Sequence, residues 1–175
     1  MPSPLLPLLP DAVSRLVSPV MPEVVPSLLQ ALELIATQSP PSTLVVADLV
    51  KAISSSRVAV YETTSYILGE LAIYSPLALD AVLALSRATD SRVRHNALLC
   101  VNEEWPARTV HDVLEQALRD KSSRVRRKAA DWTGRLRCKT LLPYLQHAVD
   151  IERNAETRDV MIYEIDRLSS APVLC

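Results

Sequence analysis

Phenylalanine is absent from the 175 residues, and glycine occurs only twice. Sheets joined by tight turns draw on glycine wherever φ must be positive, so this scarcity excludes a chain built of hairpins. It also excludes a glycine-rich loop cradling phosphates, because Gly69 and Gly134 stand far apart. Charge of one sign is lacking too: 19 Lys and Arg against 20 Asp and Glu leave −1, which argues against a protein devoted to non-specific nucleic-acid binding. Cysteine is sparse. Cys100, Cys138 and Cys175 form an odd set without a CxxC pair, which speaks against a disulfide framework and for a reducing cytoplasm. No apolar run approaches the ~20 residues of a bilayer-spanning helix, so no membrane partner is expected. The opening MPSPLLPLLP has no basic n-region and is broken by four prolines. Residues 1–10 are therefore expected to be irregular. Cofactor and metal motifs are missing as well: there is no GxSxG or HExxH, and His95, His111 and His147 fall in different segments without ligand spacing.

What is present is 49% apolar, drawn from Leu, Val and Ala, with a mean hydropathy of +0.14. That is too much burial potential for disorder and suits helices. It also repeats. Ser91-Arg-Val-Arg-His-Asn-Ala97 returns as Ser123-Arg-Val-Arg-Arg-Lys-Ala129, an offset of 32 (123 − 91). Val60, Val93, Val125 and Thr157 follow at steps of 33, 32 and 32. The two glycines occupy one slot, two repeats apart, each followed by x-Leu in Gly69-Glu-Leu71 and Gly134-Arg-Leu136. A fixed period near 32 is the mark of stacked helix pairs.

Each unit reads as helix A, a short polar turn, then helix B. Val110, Val113, Leu114, Ala117 and Leu118 form an i, i+3, i+4, i+7, i+8 stripe. Val125, Ala129, Trp132, Thr133 and Leu136 share the core phase of the next helix, and Cys100 that of its own. Pro41, Pro76, Pro106 and Pro143 fall near the starts of A helices, where a missing N–H costs little. Units are drawn at 11–38, 42–73, 76–105, 107–137 and 139–170, giving a single all-α domain over 11–170 and a tail at 171–175.

Asp90…Val93-Arg94, Asp120…Val125-Arg126 and the two Gly-x-Leu endings resemble the HEAT repeat, within the HEAT/armadillo superfamily, over roughly residues 42–170. The second and fifth units depart from the pattern, with Tyr61 in the arginine slot and Thr157 in the valine slot. The resemblance implies a right-handed α-solenoid of about five repeats whose B helices line the concave side. It also implies that Arg94, Arg126 and Arg158 are a structural ladder bonding a turn carboxylate or nearby backbone, with Asp90 and Asp120 as partners. A guanidinium fork suits such bridging. The glycines are expected to let neighbouring helices approach closely.

Stepping 100° per residue from Val125 puts Arg127, Asp131 and Arg135 opposite the core. The same phase selects Glu62, Tyr66 and Glu70 in the second unit, His95, Leu99 and Glu103 in the third, and Asp159, Tyr163 and Arg167 in the fifth. Mixed charge with aromatic anchors suits a protein-binding surface. The expected function is a non-catalytic module (adaptor, inhibitor or immunity-type protein) holding one protein partner, without cofactor or metal. The alternative is a nucleic-acid-binding or alkyl-base DNA glycosylase-related protein using the basic segment 119–139, where Asp131 and Arg127 imitate part of such a site. A third possibility is a homodimer through the apolar end repeats.

Overall fold

The computed structural model describes residues 9–170, and every regular element among them is helical. The expected irregularity of residues 1–8, the tail 171–175 and Cys175 lie outside the described residues. The chain divides into two compact units, with the boundary after Asn102.

The first unit opens with a short helix α1 (Leu9–Ala12) that runs into a π-helical turn, Val13–Val17. Pro10, expected to be irregular, is thus helical. A 3-10 turn, Pro22–Val24, leads into α2 (Val25–Thr37). Two helix pairs follow: α3 (Thr43–Ile53) with α4 (Val58–Tyr74), and α5 (Pro76–Leu85) with α6 (Ser91–Leu98). Helix α4 is the hub, packing against α2, α3, α5 and α6. From Val60 to Ala72 it is buried nearly all round, with only Glu62 exposed. Ile67, Leu68 and Leu71 are fully buried there, each removing apolar surface worth ~2 kcal/mol from water. Local chemistry sets the starts: Ser42 accepts from the Val45 amide, and Ser75 accepts from Ala78 just before Pro76.

The second unit consists of α7 (Ala107–Leu118), α8 (Ser123–Arg135), α9 (Leu142–Ile151) and α10 (Ala155–Ser170). Helix α8 packs on both α7 and α10. The α7 stripe read from the sequence is buried in full: Val110, Val113, Leu114, Ala117 and Leu118. With glycine so scarce, two helix C-termini use other residues in the left-handed region, Gln38 at φ 51° and Arg137 at φ 53°. At the second, the Cys138 and Arg137 amides return to the carbonyls of Thr133 and Gly134, satisfying two end carbonyls that glycine commonly helps to close.

The structure corrects three local expectations. Helix α6 stops at Leu98, well short of the bound at 105 drawn for the third unit, and Trp105 lies in the following connection, buried to 3% exposure. Trp132 is only half-buried, with Arg135 4.7 Å and Lys128 5.6 Å from its ring centre. The two glycines also serve different ends. A β-carbon on Gly69 would collide with the Cys100 carbonyl oxygen, whereas on Gly134 it would collide with the Glu164 carboxylate. The first is a close backbone approach; the second makes room for a side chain.

Candidate functional site

The arginine slot repeats as geometry. Arg94 Nη1 donates to the carbonyls of Ala88 and Thr89, both at 2.8 Å. Arg126 Nη1 donates to Asp120 O at 2.6 Å, and Arg158 Nη2 donates to Glu152 O. In all three the guanidinium reaches the carbonyl six residues before it, tying the A–B turn to helix B. What Asp120 offers Arg126 is therefore its backbone oxygen; its carboxylate accepts from the Ser122 amide at 2.8 Å. The Asp90 carboxylate caps α6, accepting from the Arg92 amide at 2.8 Å.

The carboxylate that sits on Arg126 was not singled out from the sequence. Glu152, at the C-terminal end of α9 and 0% exposed, accepts from Arg126 Nε at 2.9 Å and Nη2 at 2.5 Å. It also takes the Ser123 hydroxyl at 2.9 Å and the Asn154 amide at 2.8 Å. Burial by itself would push its carboxyl up, but the Asn154 amide, the Ser123 hydroxyl and Arg126 together hold it below the ordinary 4.5. A carboxyl lowered in the folded chain contributes stability that is complete above 4.5 and is lost as pH falls through the folded value.

The stripe residues distribute as follows. In the first unit Glu62 is exposed, while Tyr66, His95 and Leu99 are half-buried. Glu70 is not available to a partner. It is 6% exposed and accepts from Asn102 Nδ2 at 3.0 Å, because α4 is covered on nearly every side. Glu103 is exposed but lies beyond α6, so a helical phase carried past Leu98 misassigned it.

In the second unit the remaining six lie on α8 and α10, two helices that pack against each other. Arg127 Nη1 donates to Glu156 Oε1 at 2.6 Å, bridging the two helices. Asp131 pairs with Lys128 Nζ at 2.9 Å. Arg135 lies over Trp132 at 4.7 Å, a cation–π arrangement. On α10, Asp159 is exposed, and Arg167 Nε stands 3.3 Å from Glu164 Oε2. Tyr163 is 61% exposed, a large aromatic left on the surface.

Beneath this face lies Glu164, which phase arithmetic did not select. It is 4% exposed, and its Oε2 has no hydrogen-bond partner despite the nearby Arg167. Burial raises its carboxyl above 4.5; Arg167 counters this and Asp131 adds to it. The sign is opposite to that of Glu152. The folded chain holds this proton more tightly than the unfolded one, so ionisation erodes stability as pH rises from 4.5 through the folded value. Glu164→Gln is accordingly expected to raise Tm at pH 7 by roughly 2–4 °C, the effect of ~1 kcal/mol in a chain of this size. Calorimetry should find the gain shrinking below pH 4.5. A lower Tm at pH 7 would show that the Arg167 pair outweighs the burial.

Among the described residues, no helix is long and apolar enough to cross a membrane, and no group of three His, Cys, Asp or Glu is placed to hold a metal ion. A family model described as HEAT repeats matches residues 80–166, which takes in the α8–α10 face. No curated protein matches the chain.

Proposed function

We propose that this chain, which belongs to the HEAT repeat family, is a non-catalytic module that holds one protein partner on its α8–α10 face, acting as an adaptor or as an inhibitor of the immunity type. HEAT repeats are generally protein-interaction scaffolds. The observation that carries the reading is the face itself. Exposed cations (Arg127, Arg135) and acids (Glu156, Asp159) are interspersed around the half-buried Trp132 and the open Tyr163. Interfaces concentrate energy in aromatic and arginine anchors surrounded by polar residues. A proteinaceous partner presents both signs of charge and apolar contacts, and so matches such a surface; a phosphate backbone offers one sign of charge and no apolar side chain for Trp132 and Tyr163.

The test is capture of a partner from source-cell extract on the immobilised full chain, identification by mass spectrometry, and measurement of its affinity for Arg127→Glu/Arg135→Glu. Reversing two exposed charges is expected to weaken the complex at least tenfold while leaving Tm within about 2 °C, since surface substitutions seldom exceed ~0.5 kcal/mol each. Unchanged affinity would remove the α8–α10 face from the interface. A duplex DNA that binds the wild type and loses ~10³-fold or more between 50 and 200 mM salt would favour the basic segment as a nucleic-acid site instead.

A further inference from the structure

The solvent face of α8 is unusually one-signed for a chain of net charge −1. Arg124, Lys128, Asp131 and Arg135 fall at i, i+4, i+7 and i+11, so they share one face. Arg127 lies beside them on the α10 side, where it meets Glu156. Four cations thus surround a single α8 acid, Asp131, and that acid is already engaged by Lys128. The stripe extends over three turns of helix and carries Trp132 along its edge, under Lys128 and Arg135.

The counter-charge on Arg127 comes from the first turn of α10. Glu156 is 73% exposed on its side chain and Arg127 44%, with a separation of 2.6 Å. Exposed pairs of this kind contribute little to folding, so an incoming carboxylate can replace Glu156 with little loss to the fold. Glu156 differs in this from Glu152, four residues earlier, which is sealed beneath the surface on Arg126.

We infer that the α8 stripe docks an acidic segment of a partner protein, and that Glu156 is a built-in stand-in for the partner carboxylate that seats on Arg127. The inference rests on the α8–α10 face being the binding surface and adds the partner's chemistry and a built-in competitor. Charge complementarity selects the occupant. The partner segment supplies carboxylates at a spacing that reaches Arg127 and Arg135, with an apolar side chain against the Trp132 edge. Removing Glu156 frees Arg127 and strengthens docking, whereas removing an unrelated acid on the same face changes only the general field.

The test uses the full chain and a fluorescein-labelled peptide of alternating Glu and Leu, read by anisotropy at 0.05 and 0.15 M salt. Wild-type protein is expected to bind it, and to ignore the same peptide with Gln for Glu. Glu156→Gln is expected to tighten binding about fivefold or more. Asp159→Asn, which makes the same charge change on α10 without touching Arg127, is expected to tighten it less than twofold. In an Arg127→Ala background the Glu156→Gln gain should vanish. Equal gains from Glu156→Gln and Asp159→Asn, or a gain that survives Arg127→Ala, would overturn the stand-in role. So would an oligothymidylate that binds the wild type more tightly than the peptide at 0.15 M salt. If Arg127→Glu/Arg135→Glu abolishes partner capture while Glu156→Gln leaves peptide affinity unchanged, the stand-in is wrong and the interaction face stands. If the double reversal leaves capture intact, the face itself is wrong.

Discussion

Glu152→Ala is expected to lower the unfolding free energy by about 3–5 kcal/mol, which urea denaturation at pH 7 can measure directly. The substitution removes the acceptor of two Arg126 donors, the Ser123 hydroxyl and the Asn154 amide. Arg126, itself only 7% exposed, is left as a buried cation with no carboxylate. Since domains are stable by only ~5–15 kcal/mol, such a loss takes much of the margin. The companion variant Arg126→Met/Glu152→Met removes both charges and is expected to recover part of it, because an apolar pair has no desolvation to offset. A loss under 1 kcal/mol for Glu152→Ala would mean that water or a neighbouring group re-satisfies Arg126. Glu152→Gln should also flatten the dependence of stability on pH below 4.5, the range in which the wild-type carboxyl takes up its proton.

The two glycines are expected to respond in opposite ways to the same substitution. Gly69→Ala should destabilise by about 1–3 kcal/mol although alanine is the better helix former by ~1 kcal/mol. Its new methyl would stand 3.1 Å from Cys100 Cα and overlap the Cys100 carbonyl, so two backbones must part. Gly134→Ala meets the Glu164 side chain, carboxyl group first and Cγ at 3.2 Å, and no backbone; a rotation of that side chain is expected to hold the change in stability below ~1 kcal/mol. Parallel thermal melts of the two variants decide the point. Equal losses would mean that Glu164 is as fixed as a backbone.

Most of the fold was legible because its determinants are local and periodic. The slot shared by Val60, Val93 and Val125 is buried in every case, and Ser42 and Ser75 cap the helices beside Pro41 and Pro76. Thr157 keeps the slot buried without being apolar. Helix α6 was read too long, because nothing in Leu99-Cys-Val-Asn-Glu breaks a helix by composition; the tertiary burial of Cys100, Val101 and Trp105 bends the chain instead. Periodicity located Arg126 but not Glu152, since the partner lies 26 residues away at the end of the next A helix. Glu70 was misplaced for a related reason. Phase marks the side of α4 opposite Val60, but in a helix covered on nearly all sides that side is interior too.

The buried polar contacts also bear on how such an array can be rearranged by duplication. Asn96 sends its amide to the Ile53 carbonyl across 43 residues while its own carbonyl receives Ser65, and both contacts are buried. The equivalent position 32 residues on is Lys128, half-buried and paired with Asp131. One repeat carries a buried amide where the next carries a surface cation, so the units are not interchangeable parts. A recombinant array that moved the α5–α6 pair elsewhere would carry Asn96 away from both of its contacts. The succession of helix pairs is thus written as a fixed order, like words in a sentence, despite the uniform length of each word.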